Sequence, residues 1–482
     1  MRRRDGGQRA GVLLGGRRLA RAAWARREVG IRYYSTNHRA AEVDLAQALL
    51  QGQAGDKGLF MPRPIPAMPR ELLVRAGTLA YPELAAAVLG LYTDGVFSPD
   101  TLREICTDAY DFDVPLERVD GRRHVMRLDR GPTASFKDFA ARFMGRALGR
   151  LVRERGQDLL ILTATSGDTG SAIAHAFLGV AGIRVVVLFP IHEVSERQRR
   201  QMTTLGGNIT TLALDTKFDD CQALAKQAFA DPDLARLNLS SANSINIGRL
   251  LPQAVYYVYA ASRLADVAGG EKVVFSVPSG NFGDLMGGLL ASRMGLEVER
   301  FVVATNANDE VPRFLATGRY EKIAPSRKCI SNAMNVGHPS NFARVVDLYG
   351  GTMDEQGNVL APPDVARMRR ELYAISIGDD ETRRTIAEAY RSHRTILEPH
   401  GAVGWAGLRH LLDDRPELAD VTAIALETAH PAKFPEEIRA LIQVEPAAPK
   451  SLEGLDGMRE TYREMESDYG AFKSLLTREF GR

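Results

Sequence analysis

Cysteine is scarce in this chain: its 482 residues include only Cys106, Cys221 and Cys329. The three lie far apart and form no CxxC pair, which argues against a structural zinc site and against a disulfide framework. We therefore expect reduced thiols in a cytoplasmic protein. No apolar run reaches the ~18 residues that a membrane span requires, so no membrane association is expected.

Net charge is also small, +2 at pH 7, and it is unevenly distributed. Residues 1–30 contain nine arginines against Asp5 and Glu28, a balance of +7, so the rest of the chain carries about −5. That remainder gives no basis for nucleic-acid binding. We interpret residues 1–30 as a disordered or artefactual extension, because they lack both the serines usual in a transit peptide and the apolar segment of a secretion signal.

The pattern of elements changes along the chain, which is too long for a single hydrophobic core. The first part is mostly helical, with helices expected over 70–92 and 99–110. Beyond it strands and helices alternate, and this predicts parallel sheets covered by helices on both faces. We predict an extension (1–30), a mostly helical N-terminal domain (31–122), the lysine-bearing part of a large domain (123–157), a small α/β domain (158–240), a large α/β domain (241–445) and a C-terminal helical tail (446–482).

Lys137 is the first candidate for chemistry. It follows a Gly-Pro turn, is flanked by Phe136 and Phe139, and begins an apolar-periodic helix, which is a poor setting for a solvated charge. Burial lowers the pKa of a lysine and makes its amine nucleophilic, and such an amine suits a Schiff base with an aldehyde cofactor. Two alternatives stay open: a surface lysine whose stem packs on an aromatic ring, and a buried lysine paired with Asp138.

Two other segments show the pattern strand, glycine-rich turn, helix. They span residues 159–172 and 273–284. Glycines let the backbone approach an anion, and the free N–H groups and dipole at a helix N-terminus favour negative charge. Two such turns and a nucleophilic lysine suit a cofactor phosphate, a substrate carboxylate and an aldehyde carbon. This combination indicates pyridoxal phosphate acting on an amino acid.

Five ordered motifs run along the chain: YYSTN (33–37), GPTASFKD (131–138), TSGDTGS (165–171), SGNFGD (279–284) and ETAHPAKF (427–434). They resemble those of threonine synthases of the longer type found in fungi and proteobacteria, and the resemblance covers most of the chain from Ile31 to about residue 445. The resemblance implies pyridoxal 5'-phosphate as cofactor and conversion of O-phospho-L-homoserine and water to L-threonine and phosphate. It also implies two parallel-sheet α/β domains of the tryptophan-synthase β-like (fold type II) enzymes, plus a mostly helical N-terminal domain.

The resemblance also implies roles around the cofactor. Lys137 would hold it and then move protons at the reacting carbons, and Thr428, at a strand end, would partner the pyridine nitrogen. The resemblance also places Asp168 among the cofactor contacts, next to the phenolic oxygen, where related enzymes often carry Asn. An ionised aspartate would repel an ionised oxygen there, so we expect Asp168 to be protonated or to turn away and cap its helix. A plain strand-to-helix turn and a polar strand-end residue are the alternatives. The cofactor phosphate is assigned to Gly280, Asn281, Phe282, Gly283 and Asp284.

Substrate sites are predicted at the other turn and at the segment 243–249. The N-terminal amides and hydroxyls of a helix suit a carboxylate, and the planar fork of an arginine matches phosphate oxygens. The Asn-Ser-x-Asn-x-x-Arg spacing resembles that of threonine synthases and opens a helix predicted over 248–268; a plain helix cap is the alternative. We predict the carboxylate site at Ser166, Gly167 and Thr169, and the phosphate site at Asn243, Ser244, Asn246 and Arg249.

Other functions share parts of this pattern. A phosphohomoserine lyase or a threonine/serine dehydratase on the same scaffold would release a 2-oxo acid and ammonia. A non-catalytic relative would be expected to lose the lysine or the glycine-rich turn, and a nucleotide-binding protein would need a Walker motif, which this chain lacks. We expect a cytoplasmic enzyme that is a monomer or a homodimer, and the histidines form no metal-binding motif.

Overall fold

The computed structural model describes residues 30–93, 95–165 and 167–481. The interpretation of residues 1–30 as an extension lies almost wholly outside this part of the chain. Among the helices described, none combines the length and the apolar character needed to cross a membrane.

The N-terminal part consists of two short antiparallel strands and four helices. They are β1 (Arg32–Ser35), α1 (Leu45–Gln51), β2 (Phe60–Arg63), α2 (Arg70–Ala76), α3 (Tyr81–Thr93) and α4 (Pro99–Ala109). The helical pattern expected over 70–92 is confirmed as two helices, α2 and α3. Pro82, in the first turn of α3, has no N–H with which to continue the preceding helix. The helix expected over 99–110 is confirmed, and Ser98 caps it by accepting the Thr101 N–H at 3.1 Å.

Strands and helices then alternate, as the sequence predicts. The first run comprises β3 (Leu116–Asp120), β4 (Arg123–Arg127), α5 (Lys137–Arg155), β5 (Leu159–Ala164), α6 (Asp168–Phe177), β6 (Ile183–Pro190), α7 (Glu196–Thr203), β7 (Ile209–Leu214), α8 (Phe218–Ala230) and β8 (Leu239–Ser241). A one-turn 3₁₀ helix, Ile247–Arg249, precedes α9 (Gln253–Leu264). The long helix expected over 248–268 therefore starts later, because Pro252 cannot donate to the turn before it.

The second run completes the larger sheet. It comprises β9 (Val273–Pro278), α10 (Gly283–Arg293), β10 (Val298–Thr305), α11 (Glu310–Thr317), α12 (Phe342–Leu348), β11 (Thr352–Met353), β12 (Val359–Ala361), α13 (Val365–Glu371), β13 (Leu372–Ser376), α14 (Asp379–His393), α15 (Pro399–Asp414), β14 (Thr422–Glu427), α16 (Pro435–Ile442), β15 (Arg463–Met465) and α17 (Tyr469–Phe480).

The larger sheet has six strands in the order β13-β10-β9-β14-β4-β3, parallel except for β3. β3 belongs to this sheet although it precedes the domain boundary predicted at 122/123. The sequence pattern over residues 362–377 fits a single helix, but its C-terminal half is β13, which pairs with β10 from Phe301↔Leu372 to Thr305↔Ser376. A parallel neighbour can supply backbone partners to this segment, and local periodicity does not reveal that neighbour.

The smaller sheet has five parallel strands in the order β15-β7-β6-β5-β8. Its edge strand β15 comes from the segment predicted as a helical tail, so that prediction is only partly right. α17 packs with α8 on one face of this sheet, where Phe472 and Leu476 are buried against Leu224. The C-terminal segment therefore completes the smaller sheet.

The predicted α/β class is confirmed, with both sheets contributing to one extensive hydrophobic core that also includes the N-terminal helices. α5 and α6 pack against each other, and each begins at a turn that follows a strand. The carboxyl ends of β5, β9 and β14 each continue into one of the motifs found in the sequence. In open parallel sheets such strand ends form the usual ligand site.

Candidate active site

Lys137, the first residue of α5, lies where the loop after β4 meets the end of β14. The Phe136 N–H donates to the Thr428 carbonyl at 2.9 Å, and the Leu128 N–H donates to the Glu427 carbonyl at 3.0 Å. The Lys137 side chain is only 14% exposed, and Nζ lies 4.6 Å from the centre of the Phe136 ring. The alternative of a solvated surface lysine is therefore wrong.

The carboxylate facing Lys137 is that of Asp168, not that of the adjacent Asp138. Lys137 Nζ lies 3.8 Å from Asp168 Oδ2. The Asp138 carboxylate instead accepts the Thr133 N–H at 2.8 Å and the Thr133 hydroxyl at 2.7 Å, so the pairing of Lys137 with Asp138 is wrong. Burial lowers the pKa of Lys137, although Asp168 opposes this shift. A lowered pKa is what a nucleophilic amine requires.

Asp168 begins α6 and is buried between two lysines. Its Oδ1 lies 2.6 Å from Lys433 Nζ and accepts the Gln198 Nε2–H at 2.9 Å. Burial opposes ionisation of this carboxyl, but Lys433 and Lys137 outweigh it and hold the pKa of Asp168 well below its usual range. The expectation that Asp168 turns away to cap its helix is therefore wrong, whereas its protonation next to the phenolic oxygen of a bound cofactor stays a prediction. Nothing in the sequence indicates that Lys433 belongs to this site, except its place in the 427–434 motif.

The turn after β9 presents backbone N–H groups. Phe282 adopts φ +62° and precedes α10, and in the described part of the chain the amides of 280–284 donate to no oxygen. A Cβ at Gly280 would lie 2.8 Å from a neighbouring Cα, so the close approach of two backbone segments requires glycine. Asn281 Nδ2 donates to Ser244 Oγ at 2.6 Å and joins this turn to the 243–249 segment.

The Asp284 side chain points away from this turn. Its Oδ1 accepts the hydroxyls of Tyr256 at 2.6 Å and Tyr257 at 2.7 Å. Burial raises the pKa of Asp284 to about 6, against the opposing effect of these two hydrogen bonds. Only the backbone amide of Asp284 is thus placed to contact an anion.

In the turn after β5, some of the backbone N–H groups donate to an acceptor within the turn itself. Gly167 adopts φ +134°, and the amides of Gly167 and Gly170 donate to Thr165 Oγ1 at 2.9 and 2.7 Å. The amides of Asp168 and Thr169 donate to no oxygen among the described residues. Two N–H groups at the start of α6 are therefore available to a carboxylate.

The side chains of the predicted phosphate-binding segment, 243–249, have different roles in the structure. Asn243 Nδ2 donates to the carbonyl that ends β5 at 2.8 Å. Asn246 is buried, with Nδ2 donating to two backbone carbonyls at 2.9 Å and Oδ1 accepting a backbone N–H at 2.9 Å. These bonds give Asn246 a structural role, whereas Ser244 faces the turn after β9. Ser166, assigned to the other turn, lies outside the described residues.

Arg249 is a buried cation that lacks a counterion. Its Nη1 donates to the Ala242 carbonyl at 2.7 Å, its Nε has no hydrogen-bond partner, and no carboxylate of the described chain lies within 4 Å. Burial lowers the pKa of Arg249 to about 10, with Asp138 opposing the shift at longer range. A buried charge is costly unless it is paired, so this environment favours an incoming anion.

Thr428 directly follows β14 and is buried. Its carbonyl accepts the Phe136 N–H, which fixes it next to Lys137. Its hydroxyl makes no hydrogen bond to any of the residues described. The hydroxyl is thus available to a group bound beside Lys137.

Family comparisons agree with this geometry. Residues 114–426 match the family described as "Pyridoxal-phosphate dependent enzyme". Residues 32–110 match "Threonine synthase N terminus", and residues 401–476 match "Threonine synthase, C-terminal". The chain is a pyridoxal-phosphate-dependent enzyme with the fold type II architecture.

Individual relatives narrow this class. The threonine synthase of Haemophilus influenzae is 40% identical over 449 residues, which cover 92% of this chain and 99% of the relative. The crystal structure of Escherichia coli threonine synthase superposes with a TM-score of 0.83 at 37% identity, covering 93% of this chain and 99% of that one. The crystal structure of the pyridoxal-phosphate-bound threonine synthase of Brucella melitensis superposes with a TM-score of 0.86 at 34% identity. The match covers 94% of this chain and 100% of that one. The chain belongs to the threonine synthase family.

The residues present fit pyridoxal 5'-phosphate. The turn after β9 offers unpaired amides to the phosphate, and the buried Asn341 Nδ2, which has no partner, lies 3.6 Å from the position of a Cβ built at Gly283. A side chain at Gly283 would occupy the space next to this donor. Lys137 and the Thr428 hydroxyl supply the amine and the strand-end polar group that the cofactor requires.

Proposed function

We propose that this chain converts O-phospho-L-homoserine and water to L-threonine and phosphate by β,γ-replacement. The observation that supports this substrate is Arg249, a buried guanidinium with an unpaired Nε. The Asn281–Ser244 hydrogen bond joins its segment to the turn after β9. A phosphorylated substrate would supply the missing negative charge, whereas serine or threonine would leave Arg249 uncompensated.

We assign the cofactor contacts to residues around Lys137. Bound pyridoxal phosphate supplies an electron-accepting ring conjugated to the substrate nitrogen. Lys137 would hold it, Thr428 would partner the ring nitrogen, and Asp168 remains a predicted neighbour of the phenolic oxygen. A hydroxyl does not enforce protonation of the ring nitrogen as a carboxylate would, so the ring withdraws electrons less strongly. The phosphate contacts are assigned to the amides of Gly280, Asn281, Phe282, Gly283 and Asp284.

Substrate contacts are assigned to the other two segments. The amides of Asp168 and Thr169, with Ser166 and Gly167 in the same turn, bind the α-carboxylate. The free Lys137 Nζ would move protons at the substrate Cα, Cβ and Cγ as a general acid and base. The leaving phosphate is assigned to Asn243, Ser244 and Arg249, with Asn246 shaping the segment through its backbone contacts.

The test measures both products in one sample. Purified protein loaded with pyridoxal phosphate receives O-phospho-L-homoserine while phosphate and threonine are quantified. Equal yields of the two, and neither from Lys137→Ala, would support the proposal. Phosphate with 2-oxobutyrate and ammonia would identify a lyase instead, and 2-oxo acid formed faster from L-serine or L-threonine would identify a dehydratase.

Two further properties stay predictions from the sequence. We infer a cytoplasmic location and a monomeric or homodimeric state. Size-exclusion chromatography with light scattering over a range of protein concentrations tests the second, and a mass above that of a dimer would contradict it.

A further inference from the structure

Two lysines from distant parts of the chain approach one buried carboxylate. Lys433 Nζ lies 2.6 Å from Asp168 Oδ1, and Lys137 Nζ lies 3.8 Å from Oδ2. The Lys433 side chain is fully buried, and that of Asp168 is 2% exposed. A buried lysine is costly unless its charge is paired, and one carboxylate neutralises only one ammonium. If both lysines were protonated, a positive charge would be left in excess.

The loop that leads to Lys137 also holds Lys433. Lys433 Nζ donates to the Thr133 carbonyl at 3.0 Å. The 3₁₀ turn Pro431–Lys433 is capped by His430, whose Nδ1 accepts a backbone N–H at 3.1 Å. In the described part of the chain, the Lys433 ammonium therefore contacts two oxygens, the Asp168 carboxylate and the Thr133 carbonyl. The Lys137 amine is close to a single carboxylate oxygen, and that oxygen lies farther away.

Other charges also face Lys137. Burial lowers the pKa of Lys137 most strongly; Asp168 raises it, Lys433 and Arg249 lower it, and Glu398 raises it. Asp284 approaches from α10, and His400, from α15, faces Asp168. Among these groups, Lys433 makes the short contact with the one carboxylate that lies within 4 Å of the Lys137 amine.

We propose that Lys433 is a positioning residue that takes the charge of Asp168, so that the Lys137 amine stays unprotonated. Without Lys433, Asp168 would become the full counterion of Lys137 and would stabilise its ammonium form, which is neither a nucleophile nor a base. The inference rests on the proposed role of Lys137 as the amine that carries the cofactor. It concerns the protonation of the cofactor-free protein and can be tested without catalysis.

The experiment is a titration of Lys137 in the cofactor-free protein. Trace acetylation with acetic anhydride from about pH 6 to about pH 11, followed by mass spectrometry of the Lys137 peptide, gives the pH midpoint of its reactivity. The variants are Lys433→Met, Lys433→Arg, Asp168→Asn and the double variant Asp168→Asn/Lys433→Met. Lys473→Met is the matched control. Lys473 lies on α17, and its ammonium also pairs with two carboxylates, at 2.8 and 2.6 Å.

We expect Lys433→Met to raise the Lys137 midpoint by at least about one pH unit, which is about tenfold slower labelling at pH 7. Lys433→Arg, which keeps the charge, should stay close to wild type, as should Lys473→Met. An unchanged midpoint in Lys433→Met overturns the proposal.

The double variant keeps the test decisive if Lys433→Met does not fold. It removes both charges, so its midpoint should lie near that of wild type. Asp168→Asn alone leaves Lys433 unpaired beside Lys137 and should give a lower midpoint than the double variant. Equal midpoints in these two variants also overturn the proposal.

A separate measurement distinguishes failure of this inference from failure of the proposed function. Borohydride reduction of the loaded wild-type protein and peptide mapping identify the lysine that carries the cofactor. Cofactor on Lys137 with no shift of its midpoint in the variants rejects only the role of Lys433. Cofactor on a different lysine rejects the proposed function and the inference together.

Discussion

The turns after β5 and β9 share a local pattern and have different properties in the folded chain. Each follows a buried strand, contains glycine and has an aspartate in the first turn of the next helix. Asp168 faces two lysines that lower its pKa, whereas Asp284 faces two tyrosine hydroxyls and burial raises its pKa to about 6. One turn brings a charge to Lys137, and the other offers backbone N–H groups to an anion. The same pattern thus supports two kinds of site, because the partners come from elsewhere in the chain.

The largest effect is expected from removing the amine that Asp168 faces. Lys137→Ala should abolish the visible absorption of the bound cofactor and lower kcat/KM by about 10²–10⁴-fold or more, because the general acid and base is lost. Absorbance spectra and steady-state kinetics check this, with Lys473→Met as the control that should behave like wild type. A Lys137→Ala protein that keeps its visible absorption would show that another lysine carries the cofactor.

A methyl group added to each turn should affect a different ligand. A Cβ at Gly280 would lie 2.8 Å from a backbone Cα, and one at Gly167 would lie 2.5 Å from the Gln198 side chain, at a residue with φ +134°. Overpacking of this kind costs about 1–3 kcal/mol. Gly280→Ala should therefore weaken cofactor affinity roughly 10- to 100-fold, whereas Gly167→Ala should raise the substrate KM. Cofactor titration and kinetics on saturated enzyme separate the two, and a change in the same constant for both variants would contradict the comparison.

The two aspartates should contribute to stability with opposite pH dependence. The folded pKa of Asp284, about 6, lies above its unfolded value near ~3.9, so its contribution is present below about pH 4 and is lost as pH rises through 6. Asp284→Asn keeps the oxygen that accepts from the tyrosines and should remove this loss, which is on the order of 2–3 kcal/mol. The folded pKa of Asp168 is lowered, so its contribution is present above about pH 4 and is lost as pH falls further.

Urea unfolding of the cofactor-free protein at several pH values measures both effects. Asp284→Asn should flatten the decline in unfolding free energy between about pH 4 and pH 7, and Asp168→Asn should flatten only the acid limb. Parallel pH profiles for the two variants would count against the opposite pKa shifts of the two aspartates.

The smallest effect is expected at Thr165, whose hydroxyl accepts two amides of the turn after β5. The turn after β9 has no equivalent acceptor for its amides among the described residues. Thr165→Val should lower the free energy of unfolding by about 1–2 kcal/mol, because two buried donors lose their partner. Thr163→Val, near the end of β5, is the matched control, since the buried Thr163 hydroxyl has no partner among the described residues and its loss should not destabilise. Equal losses in the two variants would contradict the role of Thr165.

Local patterns predicted much of the fold. Buried strand, glycine turn and helix recur with the right periods, and the Ser-Pro-Asp sequence at 98–100, which is typical of a helix start, begins α4. The errors fall where a partner distant in sequence decides the outcome. The segment that begins at Leu372 continues a helical pattern but pairs with β10, and the segment that contains Arg463 looks like part of a tail but pairs with β7.

The candidate site divides in the same way. Lys137 and the two glycine-rich turns were found from the sequence because a nucleophilic amine and an anion-binding helix start are local features. Asn246 was assigned to the substrate on its spacing, yet its amide is used by three backbone groups of the folded chain. Arg249 was predicted as a phosphate ligand, and the structure adds that it is buried without a counterion.

By itself, the sequence determined the alternation of strands and helices, the family and the lysine that begins α5. Only the tertiary structure decided which carboxylate faces that lysine and in which direction the pKa of each aspartate is shifted. Lys433 is 265 positions from Asp168 in sequence and lies 2.6 Å from it in the fold. The charge state of a buried group depends on its desolvation and on the charges packed against it, and both are set by contacts between distant segments.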